Sequence, residues 1–410
     1  MINWLTDNIG TGAFEKVNAA GTDAVIVDVR DLVDKAGNNE TLIHKKIEQS
    51  VALLNEKKKI VICCDYGMSR SNSIAAGVIS QWNNVSFEEA VNIVKRTVSE
   101  SGIKLDMLAS VYNALNKNNA AGRETGKRIL ITGGTGFVGS SLKNKLAGDC
   151  VVFTPGRKEI DLMNDIVSLD LWVKINHIDT ILHLANPRIY TTNSCMGETL
   201  VMLRNVLDVC RANDVKLVYV SSWEVFSGYK ANYLLADESL PLLAKGPYGE
   251  TKWFCELLID QYRKMYGLRS LTLRSGPLYG TESDKPKFIY NFIGKALRDE
   301  KIVTHKYSNG FPLLDLLSVD DFIAALIPAL KSNYEGVINI GSGQARTTYE
   351  IAGMIVEIMG SKSELGYNNI DTQHPGIAMD ISLAEKVLGW KPATNVRDGI
   401  KKIIDHINGK

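Results

Sequence analysis

Arg128-Ile-Leu-Ile-Thr-Gly-Gly-Thr-Gly-Phe-Val-Gly139 is the stretch from which the architecture of this chain follows. The β-branched run 128–132 ends directly on glycines at 133, 136 and 139, and SSLKNKL (140–146) follows with helical composition. In such a strand–turn–helix the first glycine permits a tight turn and the second lets backbone approach a pyrophosphate. The third lets helix and strand pack closely. The spacing predicts a dinucleotide-binding turn made by Gly133, Thr135, Gly136, Phe137, Val138 and Gly139. Outward from it, VVFT (151–154), TILHLA (180–185), KLVYVS (216–221) and SLTLRS (270–275) are short apolar runs separated by helical stretches. That alternation predicts a mostly parallel α/β sheet with crossover helices.

The full length of 410 residues leaves room for a second domain. NKNNAAGRETGK (116–127) lacks large apolar side chains and reads as a linker. Before it, AVIVDV (24–29) and KIVICC (59–64) read as strands and LIHKKIEQSVALLNE (42–56) as a helix. The expected organisation is an α/β domain over 1–115, a linker over 116–127 and a second α/β domain over 128–410.

Composition excludes several classes of function. A formal net charge of +1 with 45% hydrophobic and 23% charged residues fits a globular protein and not a dedicated nucleic-acid binder. MINWLTDNIG lacks a basic n-region and an apolar h-region, and no apolar run reaches the roughly 18 residues of a membrane span. Six cysteines, two of them adjacent (Cys63 and Cys64), do not make a disulfide framework. A cytoplasmic, reduced protein that binds neither membrane nor nucleic acid is expected. His177, His183, His305 and His374 lack metal-ligand spacing, so no metal is expected.

Cys64-Asp-Tyr-Gly-Met-Ser-Arg70-Ser71 lies between a strand and an apolar helix. A loop entering a helix aims backbone N–H groups at one spot, which favours an anion and lowers a cysteine pKa. Cys64 is the expected nucleophile, Arg70 the fork that binds phosphoryl oxygens, and Gly67 and Ser71 complete the loop, with Ser71 bonded to the thiolate. CCDYGMSRS (63–71) resembles the signature of dual-specificity, tyrosine-type phosphatases, and the resemblance extends over about 20–115. It implies hydrolysis of a phosphomonoester through a Cys-phosphate intermediate. It also implies a general-acid Asp, for which Asp34 is the first candidate, Asp31 the second, and Asp28 falls within a strand. Cys63 stands where that family usually has His.

In the second domain Tyr248 and Lys252 are four apart on one helical face, where the ammonium favours the phenolate. VYVSSWEVF (218–226) supplies a serine at a strand end, Ser221 or Ser222. No acid ends the run at Phe153-Thr154, and Arg157 is suited to a 2′-phosphate, so NADP is expected with NAD as the alternative. Asp161 and Leu162 are expected beside the adenine. TGGTGFVG, HLANP (183–187), PYGETKWFCE (247–256), LRSGPLYG (273–280) and LGWKPATNVRDGI (388–400) together resemble the extended short-chain dehydrogenase/reductases that act on nucleotide-sugars.

The resemblance implies a Rossmann fold with a smaller C-terminal substrate-binding lobe. It implies Leu184 and Ala185 beside the nicotinamide ribose, Tyr248 as acid/base, Lys252 on the ribose and Ser222 on the reacting sugar oxygen. Glu224 matches the position of the dehydratase base, but Trp223 stands where the acid should be, which disfavours a simple 4,6-dehydratase. Lys285 and Lys287 are expected to be solvated, with a diphosphate contact as the alternative. The reading is a bifunctional enzyme: a nucleotide-sugar 4-keto reductase or epimerase joined to a phosphatase, forming a homodimer. Its alternatives are a dehydratase or decarboxylase with a regulatory protein phosphatase, and a cofactor-sensing domain that controls the phosphatase.

Overall fold

The computed structural model describes residues 2–34, 38–98, 103–116, 126–146, 150–157, 159–187, 192–281 and 288–409. They form two compact units, one of Met1–Thr125 with Asn164–His177 and one of Gly126–Met163 with Ile178–Lys410. The sequence suggests one division at a linker, whereas the segment Asn164–His177 is grouped with the first unit. Linker residues 117–125 and the Lys285–Lys287 stretch lie outside the described residues.

In the first unit, β1 (Asn3–Trp4), β2 (Ile9–Ala13), β3 (Val25–Asp28) and β4 (Ile60–Cys64) form a sheet ordered β1-β2-β4-β3. The strands β2 and β3 run parallel to the central β4, and β1 runs antiparallel to β2. Alternation along β4 sends Ile60, Ile62 and Cys64 into a core with Ile43, Ile47 and Ile74, while Val61 and Cys63 meet Val17 on the opposite face. Helices α1 (Phe14–Ala20), α2 (Glu40–Asn55), α3 (Ser69–Asn83), α4 (Phe87–Lys95) and α5 (Leu105–Asn116) complete the order.

The helix α3 is buried from Ser69 to Ile79, and its small residues make that possible. A Cβ at Gly77 would stand 2.7 Å from Ile47 Cδ1 and 2.9 Å from Val111 Cγ1, so the glycine lets α2 and α5 close on α3. From the unit's second segment, Ile166, Val167, Leu171 and Ile175 pack into the same core, and Lys95 pairs with Asp165 at 2.6 Å.

The chain of the second unit runs through β5 (Lys127–Thr132), α6 (Phe137–Lys145) and β6 (Cys150–Phe153). It leaves for α7 (Ile166–Ile175) of the first unit, then continues with β7 (Thr180–His183), α8 (Asn193–Asn213), β8 (Lys216–Ser222) and α9 (Pro247–Tyr266). The main sheet is ordered Gly336–Ile340, Ser270–Ser275, β8, β7, β5, β6, and every pair in it is parallel. Burial on both faces explains why these strands read as continuous apolar runs. The strand order reverses at β5, which pairs with β6 on one side and β7 on the other, so a crevice opens at the carboxyl ends of β5 and β7. A separate core of Ile289, Phe292, Ile351, Ile355, Ile400 and Ile403 serves the C-terminal lobe. No described helix is long and apolar enough to cross a membrane.

Candidate functional sites

The crevice at β5 and β7 is a cavity of about 560 Å³, within the size range of small-ligand sites. Gly133, Thr135 and Gly136 line it after β5, Leu184 and Ala185 after β7, Arg157, Asp161 and Leu162 after β6, and Tyr248 from α9. Gly133 has φ +71° and leaves no room for a side chain, since a Cβ would lie 2.8 Å from Ala185 N. Gly139 does not reach the cavity; a Cβ there would stand 2.5 Å from Gly134 Cα, so it lets α6 seat against the turn. Phe137 and Val138 likewise open α6 and do not line the cavity. No side chain caps the first turn of α6, whose N-cap is Gly136, so its amides are left for an anion. The cradle fits a dinucleotide. Glu198 and Met202, four apart on α8, also line it. Their spacing is visible in the sequence, but which face of α8 meets the cavity depends on the fold.

Tyr248 and Lys252 stand on the first turns of α9, with the Lys252 ammonium 5.7 Å from the Tyr248 ring centre. A Cβ at Gly249 would be 2.6 Å from Glu224 O, so glycine between them lets α9 dock on the turn Trp223–Phe226. Lys252 is buried and donates to Val220 O at 2.9 Å and Tyr219 Oη at 3.1 Å; burial pulls its pKa down to about 8. The two serines divide. Ser221 Oγ bonds Glu256, which Arg274 grips from the far side at 2.8–3.2 Å, whereas Ser222 Oγ accepts from Glu224 N at 3.2 Å. Burial raises the Glu224 carboxyl above its ordinary range. His183 lies 2.7 Å from Thr132 Oγ1, and burial with the nearby Lys252 charge brings it down to about 3.

In the first unit Cys64 ends β4, with its Sγ 3.3 Å from Ser71 Oγ. Burial pushes this thiol up, but Ser71 Oγ and the amides of Ser71, Met68 and Tyr66 pull it below the ordinary range. Gly67 has φ +68° and presses on the end of β2, where a Cβ would lie 2.4 Å from Ala13 N. Cys63 points to the other face, and burial raises it to about 11, so the neighbouring thiol is inert. Arg70 is buried; it donates to Leu32 O at 2.9 Å and Arg30 O at 3.3 Å and pairs with Asp65.

The three acid candidates are all held by cations. Asp34 pairs with Lys104 at 2.8 Å, Asp31 with Lys46 at 2.9 Å and Asp28 with Arg30 at 2.8 Å. Burial raises Asp34, yet Lys104, Ser69 and Arg70 leave it below the ordinary range, which keeps it ionised near neutrality. Among the described residues no cluster of three metal-ligating side chains occurs.

The sequence description of the NAD dependent epimerase/dehydratase family matches residues 129–341. A Methanocaldococcus jannaschii protein assigned as a UDP-glucose 4-epimerase is 32% identical over 305 residues, covering 68% of this chain and 97% of that protein. UDP-glucuronic acid decarboxylase 1 of Danio rerio is 27% identical, covering 69% of this chain and 73% of its own. Among solved structures, the UDP-N-acetylglucosamine 4-epimerase of Bacillus cereus aligns with a TM-score of 0.58 at 27% identity, over 69% of this chain and 97% of that one. The UDP-glucose 4-epimerase of Thermus thermophilus in complex with NAD aligns with a TM-score of 0.60 at 24% identity, over 69% and 99%. With that turn, cavity and sheet, the chain belongs to the NAD dependent epimerase/dehydratase family.

Proposed function

We propose that the second unit epimerises a nucleoside-diphosphate sugar at C4 and keeps its nicotinamide cofactor through the cycle. The observation that carries this is Tyr248 on the cavity wall with the buried Lys252 behind it on α9. Bound there, the nicotinamide supplies reversible hydride acceptance. Tyr248 takes and returns the proton of the sugar hydroxyl, Ser222 bonds the same oxygen, and Lys252 holds the ribose while its charge favours the Tyr248 phenolate. Gly133, Gly136 and the first turn of α6 hold the pyrophosphate.

NAD replaces NADP as the preferred cofactor. Solved relatives carry NAD. Arg157 is exposed, and in its own loop Glu159 bonds Gly156 N at 2.7 Å, which brings a carboxylate's repulsion to any 2′-phosphate. The test is incubation with UDP-glucose, UDP-N-acetylglucosamine and UDP-glucuronate. The C4 epimer should form without net change in nicotinamide absorbance, and Tyr248→Phe should slow it by about 10²- to 10⁴-fold. Stoichiometric oxidation of NADPH on a 4-keto sugar would instead establish a reductase, and loss of carbon dioxide from UDP-glucuronate a decarboxylase using Glu224. Exposed Phe254, Leu257, Met265 and Tyr266 on α9 support a homodimer.

For the first unit we infer a cysteine-dependent phosphomonoesterase, on the strength of Cys64 standing 3.3 Å from Ser71 at the uncapped start of α3, with Arg70 fixed in the same loop. The Cys64 thiolate attacks phosphorus as the P–O bond to the alcohol breaks, and the leaving oxygen takes its proton from solvent water, since Asp34 is held ionised by Lys104. Water then cleaves the S–P bond, with Ser71 supporting the departing thiolate. p-Nitrophenyl phosphate, whose leaving group needs no acid, is the first substrate to try. Trapped phosphocysteine supports the reading, and turnover that survives Cys64→Ser ends it.

A further inference from the structure

Lys252 is 3% exposed, yet the role given to it above requires an ammonium. The groups that face it come from several elements: Tyr248, Cys255 and Glu256 on α9, Tyr219 on β8 and His183 on β7. Glu256 is the carboxylate among them, and it is gripped by Arg274 and bonded by Ser221, so its charge is already balanced. Burial keeps His183 neutral. Two uncharged oxygens therefore receive the ammonium protons, Val220 O at 2.9 Å and Tyr219 Oη at 3.1 Å.

Tyr219 is 1% exposed and does not line the cavity. Its phenol is hydrogen-bonded to Cys255, its ring stacks with His183 at 6.0 Å, and burial pushes its ionisation far above the ordinary range. It is thus a neutral acceptor that cannot swing away, because its ring and its proton are both engaged. A backbone carbonyl alone leaves the long lysine side chain free to rotate about one contact; the second acceptor fixes its direction. A buried cation deprived of an acceptor is also disfavoured relative to the neutral amine.

We propose that Tyr219 is a positioning residue for Lys252, accepting one ammonium proton so that the side chain is kept charged for the dinucleotide ribose. The inference rests on the reading of Lys252 in the proposed reaction, and the experiment separates the two. NADH affinity is measured by nicotinamide fluorescence from pH 6 to 10 on the full chain for wild type, Tyr219→Phe and Lys252→Ala. Burial brings the Lys252 ammonium down to about 8, so wild-type affinity should fall through that region as the ammonium is lost.

In Tyr219→Phe, which keeps the ring, affinity at pH 6 should match wild type. The midpoint of the fall should move to lower pH by on the order of one unit, giving roughly tenfold weaker binding between the two midpoints. A profile that superimposes on wild type overturns the proposal. So does a uniform loss at every pH, which is what a merely structural role produces. Should Lys252→Ala bind NADH as wild type does at every pH, the reading of Lys252 fails first, whatever Tyr219 does. If Tyr219→Phe does not fold, Cys255→Ala leaves the phenol in place and removes its partner, weakening Oη as an acceptor. A smaller downward shift then supports the proposal, and an unmoved midpoint overturns it.

Discussion

The loops β4–α3 and β5–α6 are built alike and carry different side chains. Each leaves a parallel strand, turns on a glycine of positive φ (Gly67 at +68°, Gly133 at +71°) pressed against neighbouring backbone, and enters a helix that no side chain caps. The shared backbone offers uncapped amides to an anion in both. Between Gly133 and Gly136 there is no ionisable side chain, and the loop opens on a cavity of about 560 Å³. Between Cys64 and Arg70 the loop closes around a thiol, and the guanidinium is already placed. On the proposed reading, backbone decides that an anion is held, and side chains decide whether it is carried as part of a large ligand or attacked.

The most severe way to break the comparison is Cys64→Ser. It should abolish p-nitrophenyl phosphate turnover, a loss on the order of 10⁴-fold or more, while NADH affinity stays at wild type. Next come the two turn glycines. Gly133→Ala and Gly67→Ala each force a Cβ into backbone at positive φ, costing about 1–3 kcal/mol. Each should damage its own site alone, seen in NADH binding for the first and phosphatase turnover for the second; unchanged NADH affinity in Gly133→Ala would sink the parallel. A smaller effect is expected at Ser71→Ala. The rate of Cys64 alkylation by iodoacetamide should rise with pH as thiolate forms, with a midpoint below that of an ordinary thiol. Removing the hydroxyl should move that midpoint upward. The smallest effect belongs to Arg157→Ala, which should change NAD affinity by less than about fivefold, as for an exposed charge.

What the sequence discloses is local. The strand–glycine–helix of 128–146 and the Tyr248–Lys252 spacing are set by residues within one or two turns, and both are visible as strings. Strand alternation also puts the neighbours Ser221 and Ser222 on opposite faces: one meets Glu256, the other caps the next turn. What stays hidden is remote. Asp34 looks like any loop carboxylate until Lys104, seventy positions on, is seen beside it. Tyr219 reads as a core residue because its partners lie on other elements. The grouping of IVSLDLWVKI (166–175) is equally hidden, since a helix buried at Val167, Leu169, Leu171 and Val173 has the same string whichever core it enters.

That helix has a consequence for how the protein comes apart. Its chain passes between the units three times, at 125–126, 163–164 and 177–178. A protease that cuts only at the first crossing severs the covalent link expected of a tethered pair, but it should not free the N-terminal fragment. Ile166, Val167 and Leu171 remain seated in that fragment's core and Lys95 remains paired with Asp165. The nicked molecule is a complementation pair held by a borrowed helix. Residues 1–125 made alone would start life with an apolar socket and nothing to fill it.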